Sequence, residues 1–445
     1  MIQSFGSHGL FGIFNHDIAL KKAEKLTIVH GPNGFGKTTL LRLLRDFFDG
    51  KFAEFNETPL DDFYIQLEDG TRVTLTKPVQ IVEGAESRMC QVVMTDPLGN
   101  EFVHLIPVLE NDRFLVNEME KIAPFMRRVS DDVWEDIRDG EILDTDELVG
   151  RFGVRRGALK DRRVFPDWLS GLMGSVKVRL IETQRLILQK KAVRHAPSRN
   201  RPPSTATITD YAQQLSGKIQ ASFNEYARLS QQLDQTFVVR LLKHDFTVEE
   251  VLPGNSLAVK VESLNQKRRR LRDSGLLSKE DEPLPLPEEA TPLIDQILSA
   301  YLQDVESKLA VFDTLLGKIE LLKSIVDAHL EYKTMVISQQ SGFYFRAKFE
   351  KASRILPASL SSGEQHILIL FYDLLFNDSE NSLILIDEPE ISLHVDWQLS
   401  FLDDLRRIVS IAPHDILLAT HSPQIINNDW DLTVSLSRPE DAAGR

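Results

Sequence analysis

Cysteine is nearly absent from this sequence: Cys90 is the only one in 445 residues, so no intrachain disulfide can form and a zinc site built from cysteines is excluded. Such a chain suits a reducing cytoplasm. Long apolar runs are missing too, none coming near the roughly 18 uninterrupted apolar residues of a membrane-spanning helix. The opening MIQSFGSHGLFGIF lacks the basic segment and apolar stretch of a secretion signal, so the expectation is a soluble cytoplasmic protein with no membrane contact. Positive charge is not in excess: 52 Lys and Arg face 66 Asp and Glu, a net charge of −14. That balance excludes a molecule that attracts nucleic acid as a whole and confines any such surface to a local patch. No repeat of solenoid length is visible. With 42% apolar and 27% charged residues, the chain has the makings of a folded core, and its length allows two or three domains.

The hydrophobic pattern divides the chain at residues 1–205, 206–335 and 336–445. The first part opens with short strands around residues 2–14 and 26–30, followed by the loop GPNGFGKTT and by Leu40, Leu41, Leu43, Leu44 and Phe47 at helical spacing. Residues 62–108 alternate as hairpins, which predicts an antiparallel β layer. Residues 111–175 read as mixed helix and loop, and VKVRLIETQ as a strand. The middle part reads as a helical arm: apolar residues recur every three or four positions from Tyr211 to Leu241, and again from Leu293 to Ile319 in a second helix over residues 292–332. Each helix would be roughly 50–60 Å long, and the two could pair antiparallel. The last part returns to strand and helix alternation through SGFYFRAKF, HILILFYDLLF, SLILI and DILLAT. The expected fold is α/β: a mostly parallel sheet carrying the glycine-rich loop, an antiparallel β layer and a short helical, coiled-coil-like insertion.

Residues 31–38 satisfy G-x-x-x-x-G-K-[ST] in full, between a strand and a helix. Asn33, Gly34, Phe35, Gly36, Lys37, Thr38 and Thr39 are therefore candidate phosphate-binding residues: amides cradle oxygens, Lys37 reaches the β and γ phosphates, and Thr38 ligates Mg²⁺. SLILIDEPE is an apolar strand ending in acids, where Asp387 would hold Mg²⁺ and Glu388 polarise a water. Ser361, Ser362, Gly363, Glu364 and Gln365 lie just before a helix and could offer its N-terminus to a phosphate arriving from another subunit. Gln184, after a strand, could reach Mg²⁺ and the water, and His421, after DILLAT, the γ phosphate.

With these motifs in place the sequence resembles the ABC-type ATPases, in the RecF, SMC and OLD group whose heads carry helical insertions. GPNGFGKTT looks like the Walker A loop, IETQ like the Q-loop, SLSSGEQ like the signature, LILIDEP like Walker B, EISLH like the D-loop and ATHSP like the switch histidine. The resemblance implies two heads that sandwich ATP and Mg²⁺, with Ser361 and Gly363 of one facing the γ phosphate held by Lys37 of the other. Ser362 departs from the family's usual glycine, and the arm is too short for an SMC-like tether. The expectation of a free-standing ATPase follows from finding no Toprim domain after His421. Free-standing heads with DEPE and ATHSP endings resemble the ATPase subunits of anti-phage systems such as PARIS (AriA) and Septu (PtuA). That resemblance implies a homo-oligomer, a separate effector such as a Toprim-type nuclease, and a phage-encoded trigger. The alternative is a RecF-like DNA-maintenance ATPase, with DNA running along the basic stretches at 185–201 and 267–272.

Overall fold

The computed structural model describes residues 1–77, 79–82, 85–107, 122–130, 133–138, 142–144, 151, 165–182, 207–243, 254–277, 291–349, 354–377, 381–391, 393–412 and 414–436. The chain divides into two compact units, residues 1–204 with 378–445, and residues 205–377. Residues 336–377, including the SLSSGEQ segment, thus pack with the helices of the second unit, whereas the hydrophobic pattern groups them with SLILIDEPE.

In the first unit five strands, Lys177–Glu182, Ser382–Asp387, His414–Thr420, Leu26–His30 and Thr433–Ser435, lie side by side in that order, and every ladder between them is parallel. Ser382–Asp387 and His414–Thr420 are buried at every position, as parallel strands covered on both faces must be. Leu383, Leu385, Leu417 and Ala419 share one core with helix Lys37–Phe48. That core continues into a seven-stranded antiparallel sheet through Phe5, Ile18, Phe63, Ile65, Val73, Leu75 and Val92. Helix Val395–Val409 packs against His414–Thr420 and Leu26–His30. The helix after the glycine-rich loop is thus held between two sheets, each fully buried Leu or Phe contributing roughly 1.5–3 kcal/mol.

Over 111–175 the structure differs from the expected mixed helix and loop. Met126–Ser130, Val133–Asp136 and Ile142–Asp144 form a three-stranded antiparallel sheet around the buried Trp134, and the one longer helix described there is Asp167–Ser175. These strands are three to five residues long, too short to display a period.

In the second unit, helix Thr207–Lys243 runs unbroken, as its spacing predicts. Arg240–Asp304 and Lys308–Asp234 ion pairs, with a Phe237–Tyr301 ring contact, show it antiparallel to helix Pro292–Ala310. The expected single helix over 292–332 is two, Pro292–Ala310 and Asp313–His329. The break at Val311 and Phe312 is a tight turn that keeps Leu309, Phe312, Leu316 and Ile319 all buried, so the apolar stripe passes through it unaltered. The stripe on Thr207–Lys243 is covered most fully in its first half: Ile208, Leu215 and Ile219 are buried, Tyr226, Leu229, Leu233 and Phe237 are half-buried, and Phe223, Leu241 and Leu242 are exposed. SGFYFRAKF contributes to a small antiparallel sheet, Lys333–Ser338, Gly342–Ala347 and Arg354–Ile355, separate from the parallel sheet. At its turn Gly342 has φ +67, and a Cβ there would sit 1.7 Å from the Ala212 carbonyl oxygen, so the sheet meets the long helix only because no side chain intervenes.

Among the described residues, no helix is long and apolar enough to cross a membrane.

Candidate functional site

The parallel register decides which residues meet. Asp387 pairs with Ala419, and Thr420 pairs with His30, so the carboxyl ends of three neighbouring strands bring Asp387, His421 and the start of the glycine-rich loop to one edge. Ligands of open parallel sheets bind at such an edge.

Gly34 and Gly36 adopt φ +85 and +82, the left-handed region that costs other residues roughly 1–2 kcal/mol. Gly36 also approaches Leu10 so closely that a Cβ would lie 2.5 Å from its Cδ2. Phe35 is pinned by ring contact with Phe14 at 5.0 Å, and its carbonyl is 2.9 Å from His16 Nε2. Helix Lys37–Phe48 then starts with its first amides unsatisfied by any side-chain cap, leaving them available to an anion. Lys37 is buried, and its Nζ donates to the carbonyls of Gly31 at 2.7 Å and Pro32 at 3.0 Å, which holds the ammonium over the loop. Burial pushes its pKa below the ordinary 10.5, against the opposing charges of Glu388, Asp387 and Glu390.

Thr38 Oγ1 donates to Asp387 Oδ2 at 2.8 Å, so the hydroxyl and carboxylate expected to share a metal already touch. Both are hard oxygen donors, and Mg²⁺ is typically held by one or two carboxylates plus substrate phosphates and water. The absence, among the described residues, of any cluster of three His, Cys, Asp or Glu able to hold a metal is compatible with that kind of site. Glu388 follows with φ +45 and its amide donating to the Ala419 carbonyl at 2.9 Å, a strained conformation in a position where strain is characteristic of function. His421 Nδ1 lies 3.9 Å from Glu388 Oε1 and 2.9 Å from Glu390 Oε1. An open pocket of about 590 Å³ beside them is lined by Glu390, Ile391, Gln398, His421, Ser422, Pro423 and Gln424.

Lys37, Thr38, Asp387, Glu388 and His421 therefore gather in one unit, with Asn33, Gly34, Phe35, Gly36 and Thr39 along the same loop. Glu390 is a site residue that the motifs do not single out. Its signal is the third acid of DEPE, which looks like a solvated turn residue until its side chain is found 7% exposed.

Ser361, Ser362, Gly363, Glu364 and Gln365 belong to the second unit and open helix Ser362–Phe376. Ser361 and Glu364 form a reciprocal capping box: the Glu364 amide donates to Ser361 Oγ, and the Ser361 amide to Glu364 Oε2 at 2.7 Å. Lys333 Nζ donates to both Glu364 oxygens at 2.7 Å. Burial raises the Glu364 pKa, but the bonds from Lys333 and Ser361 outweigh it and hold the group below its ordinary 4.5. Gln365 turns away, its amide donating to the Ala358 and Leu360 carbonyls. Gln184 and the basic stretch at 185–201 lie outside the described residues. The other basic stretch is matched by acids within its own unit: Lys267 pairs with Asp313, Arg269 with Glu262 and Arg270 with Glu320.

Comparison with solved structures aligns the chain to an SMC head bound to the C-winged helix domain of ScpA, at 10% identity and a TM-score of 0.33, over 96% of this chain and 91% of that one. It also aligns to an SMC head domain from Thermotoga maritima, at 10% identity and a TM-score of 0.31, over 98% and 96%. No curated protein matches. Among protein families, residues 195–427 match the one described as "AAA domain, putative AbiEii toxin, Type IV TA system". The match takes in the SLSSGEQ, SLILIDEPE and ATHSP segments and covers just over half of the chain, so the protein belongs to this AAA-domain family.

Proposed function

We propose that the protein is an ATPase that binds ATP with Mg²⁺, hydrolyses it to ADP and phosphate, and works as an oligomeric sensor and scaffold of a prokaryotic anti-phage system. The observation that carries the reading is the convergence of Lys37, Thr38, Asp387, Glu388 and His421 at one sheet edge. Mg²⁺ bound with ATP would be held by Thr38 and Asp387, with Gln184 assigned beside them by motif, and would neutralise charge on the phosphate oxygens. Lys37 contributes a fixed positive charge towards the β and γ phosphates. Glu388 orients the attacking water and takes its proton, and His421 meets the γ phosphate.

The resemblance of SLSSGEQ to a signature segment supports a paired-head arrangement, in which Ser361 and Gly363 of a second copy face the phosphate and Ser362, Glu364 and Gln365 shape that loop. The family description names a putative toxin of a type IV TA system. A defence role fits with it: the assembly holds a separate effector, for which a nuclease is the leading candidate, until a phage-encoded trigger releases it. The DNA-maintenance alternative is not favoured, because the described basic stretch is paired with acids.

The test is ATP turnover with Mg²⁺ together with native mass spectrometry. Lys37→Ala should lose binding and turnover. Glu388→Gln should retain binding, lose turnover and accumulate at least a dimer with ATP. A wild-type protein that binds ATP and never turns it over overturns the enzymatic reading, and a Glu388→Gln protein that stays monomeric with ATP overturns the paired heads.

A further inference from the structure

We propose that Glu390 is the positioning residue of His421: its buried carboxylate fixes which ring nitrogen carries the proton and where the ring stands, and so sets the turnover of the site. This rests on the ATPase reading above and adds a residue to it.

One oxygen does the holding. Glu390 Oε1 accepts from Thr420 Oγ1 at 2.8 Å and from the His421 amide at 2.9 Å, and it lies 2.9 Å from His421 Nδ1. Backbone and ring of the same histidine are thereby tied to one point. A carboxylate only accepts hydrogen bonds, so Nδ1 is held as a donor and Nε2 is left as the ring atom for a ligand, donating to a phosphate oxygen when it too carries a proton. Glu388 cannot serve in this way, since its oxygen stands 3.9 Å from Nδ1, beyond hydrogen-bond reach. The two glutamates of DEPE thus act differently, Glu390 being the one that keeps the ring in place.

Glu390 is itself held. Its side chain is 7% exposed, and Oε2 is buried without a hydrogen-bond partner, so all its bonds fall on the oxygen that faces Thr420 and His421. Its carbonyl accepts from Gln398 Nε2 at 3.4 Å, and Gln398 Oε1 accepts from Ser422 Oγ at 2.9 Å, closing a loop of contacts around residues 420–422. A working side chain oriented by a further, buried group is a general device of such sites.

The experiment measures steady-state hydrolysis and, separately, equilibrium nucleotide binding for wild type, Glu390→Ala, Glu390→Gln, His421→Ala and the Glu390→Ala/His421→Ala pair. Loss of an orienting partner should lower kcat by about 10–100-fold, with KM and nucleotide Kd changed less than about 3-fold. Glu390→Gln keeps an acceptor at Oε1 and should recover part of the rate. In the His421→Ala background, Glu390→Ala should cost nothing further. A wild-type kcat in Glu390→Ala, an additive loss in the pair, or a loss lying wholly in nucleotide affinity overturns the positioning role and leaves the ATPase reading intact. A wild type without turnover overturns both. If Glu390→Ala does not fold, Glu390→Met decides, because it fills the same space without an acceptor: a folded variant with wild-type kcat in which His421 still matters would show that the hold of Glu390 is dispensable.

Discussion

Gly34 and Gly36 sit two residues apart in one loop with nearly equal φ, +85 and +82, yet alanine should affect them unequally. Each substitution forces an L residue into the left-handed region, at about 1–2 kcal/mol. At Gly34 that is the whole cost, since nothing lies within 4 Å of an added Cβ. At Gly36 the Cβ would meet Leu10 Cδ2 at 2.5 Å and Phe11 Cε2 at 3.3 Å, and Leu10 is fully buried under the hairpin it closes. Overpacking of this kind adds about 1–3 kcal/mol, so Gly36→Ala should lose about 2–5 kcal/mol in total. Calorimetric melting of the nucleotide-free proteins reads the difference, at about 2–4 °C per kcal/mol for a unit of this size. Equal shifts would refute the steric account, and an unshifted Gly36→Ala would refute the close approach of the hairpin to the loop.

Two further outcomes follow from buried polar groups. The Glu54 pKa is raised from 4.5 to about 7 by burial first, then by the hydrogen bond and charge of Asp46, with Arg42 and Arg45 opposing. The folded state therefore holds a proton between about pH 4.5 and 7 that the unfolded chain releases, so stability falls as pH rises through that window; urea titrations across this range should show the slope, and Glu54→Gln should flatten it. Tyr211→Phe removes the hydroxyl that donates to Asp373 while keeping the ring stacked on Tyr372 at 4.6 Å, and should destabilise the second unit by about 1–3 kcal/mol, read as faster amide exchange in helix Ser362–Phe376.

Much of the first unit's arrangement is legible in the residue order because its rules are local. A glycine-rich loop between an apolar strand and a helix can sit only at a strand tip, and SLILIDEPE announces a second buried strand ending in acids. What escapes is register between distant segments. Lys333 and Glu364 meet across a sheet and a helix start, and the stretch around Arg270 finds Glu320 on a neighbouring helix, pairings that no one-dimensional charge count reveals. The break at Val311 escapes for another reason: the stripe of apolar residues keeps its spacing through the turn, so periodicity sees one helix where there are two. Glu390 stays hidden because burial, not residue type, distinguishes it from its exposed counterparts.

The strand order of the parallel sheet has a consequence for how the molecule is made. Leu26–His30 has as its neighbours His414–Thr420 and Thr433–Ser435, with Leu26 paired to Ile416. At a synthesis rate of about 5–20 residues per second, this strand waits roughly 20–80 s on the ribosome before its partners emerge. Residues 205–377 are continuous and can collapse during that interval. The nascent protein would thus assemble residues 205–377 before the loop around Lys37 acquires its sheet neighbours, so the candidate site is completed only after the second unit has been made.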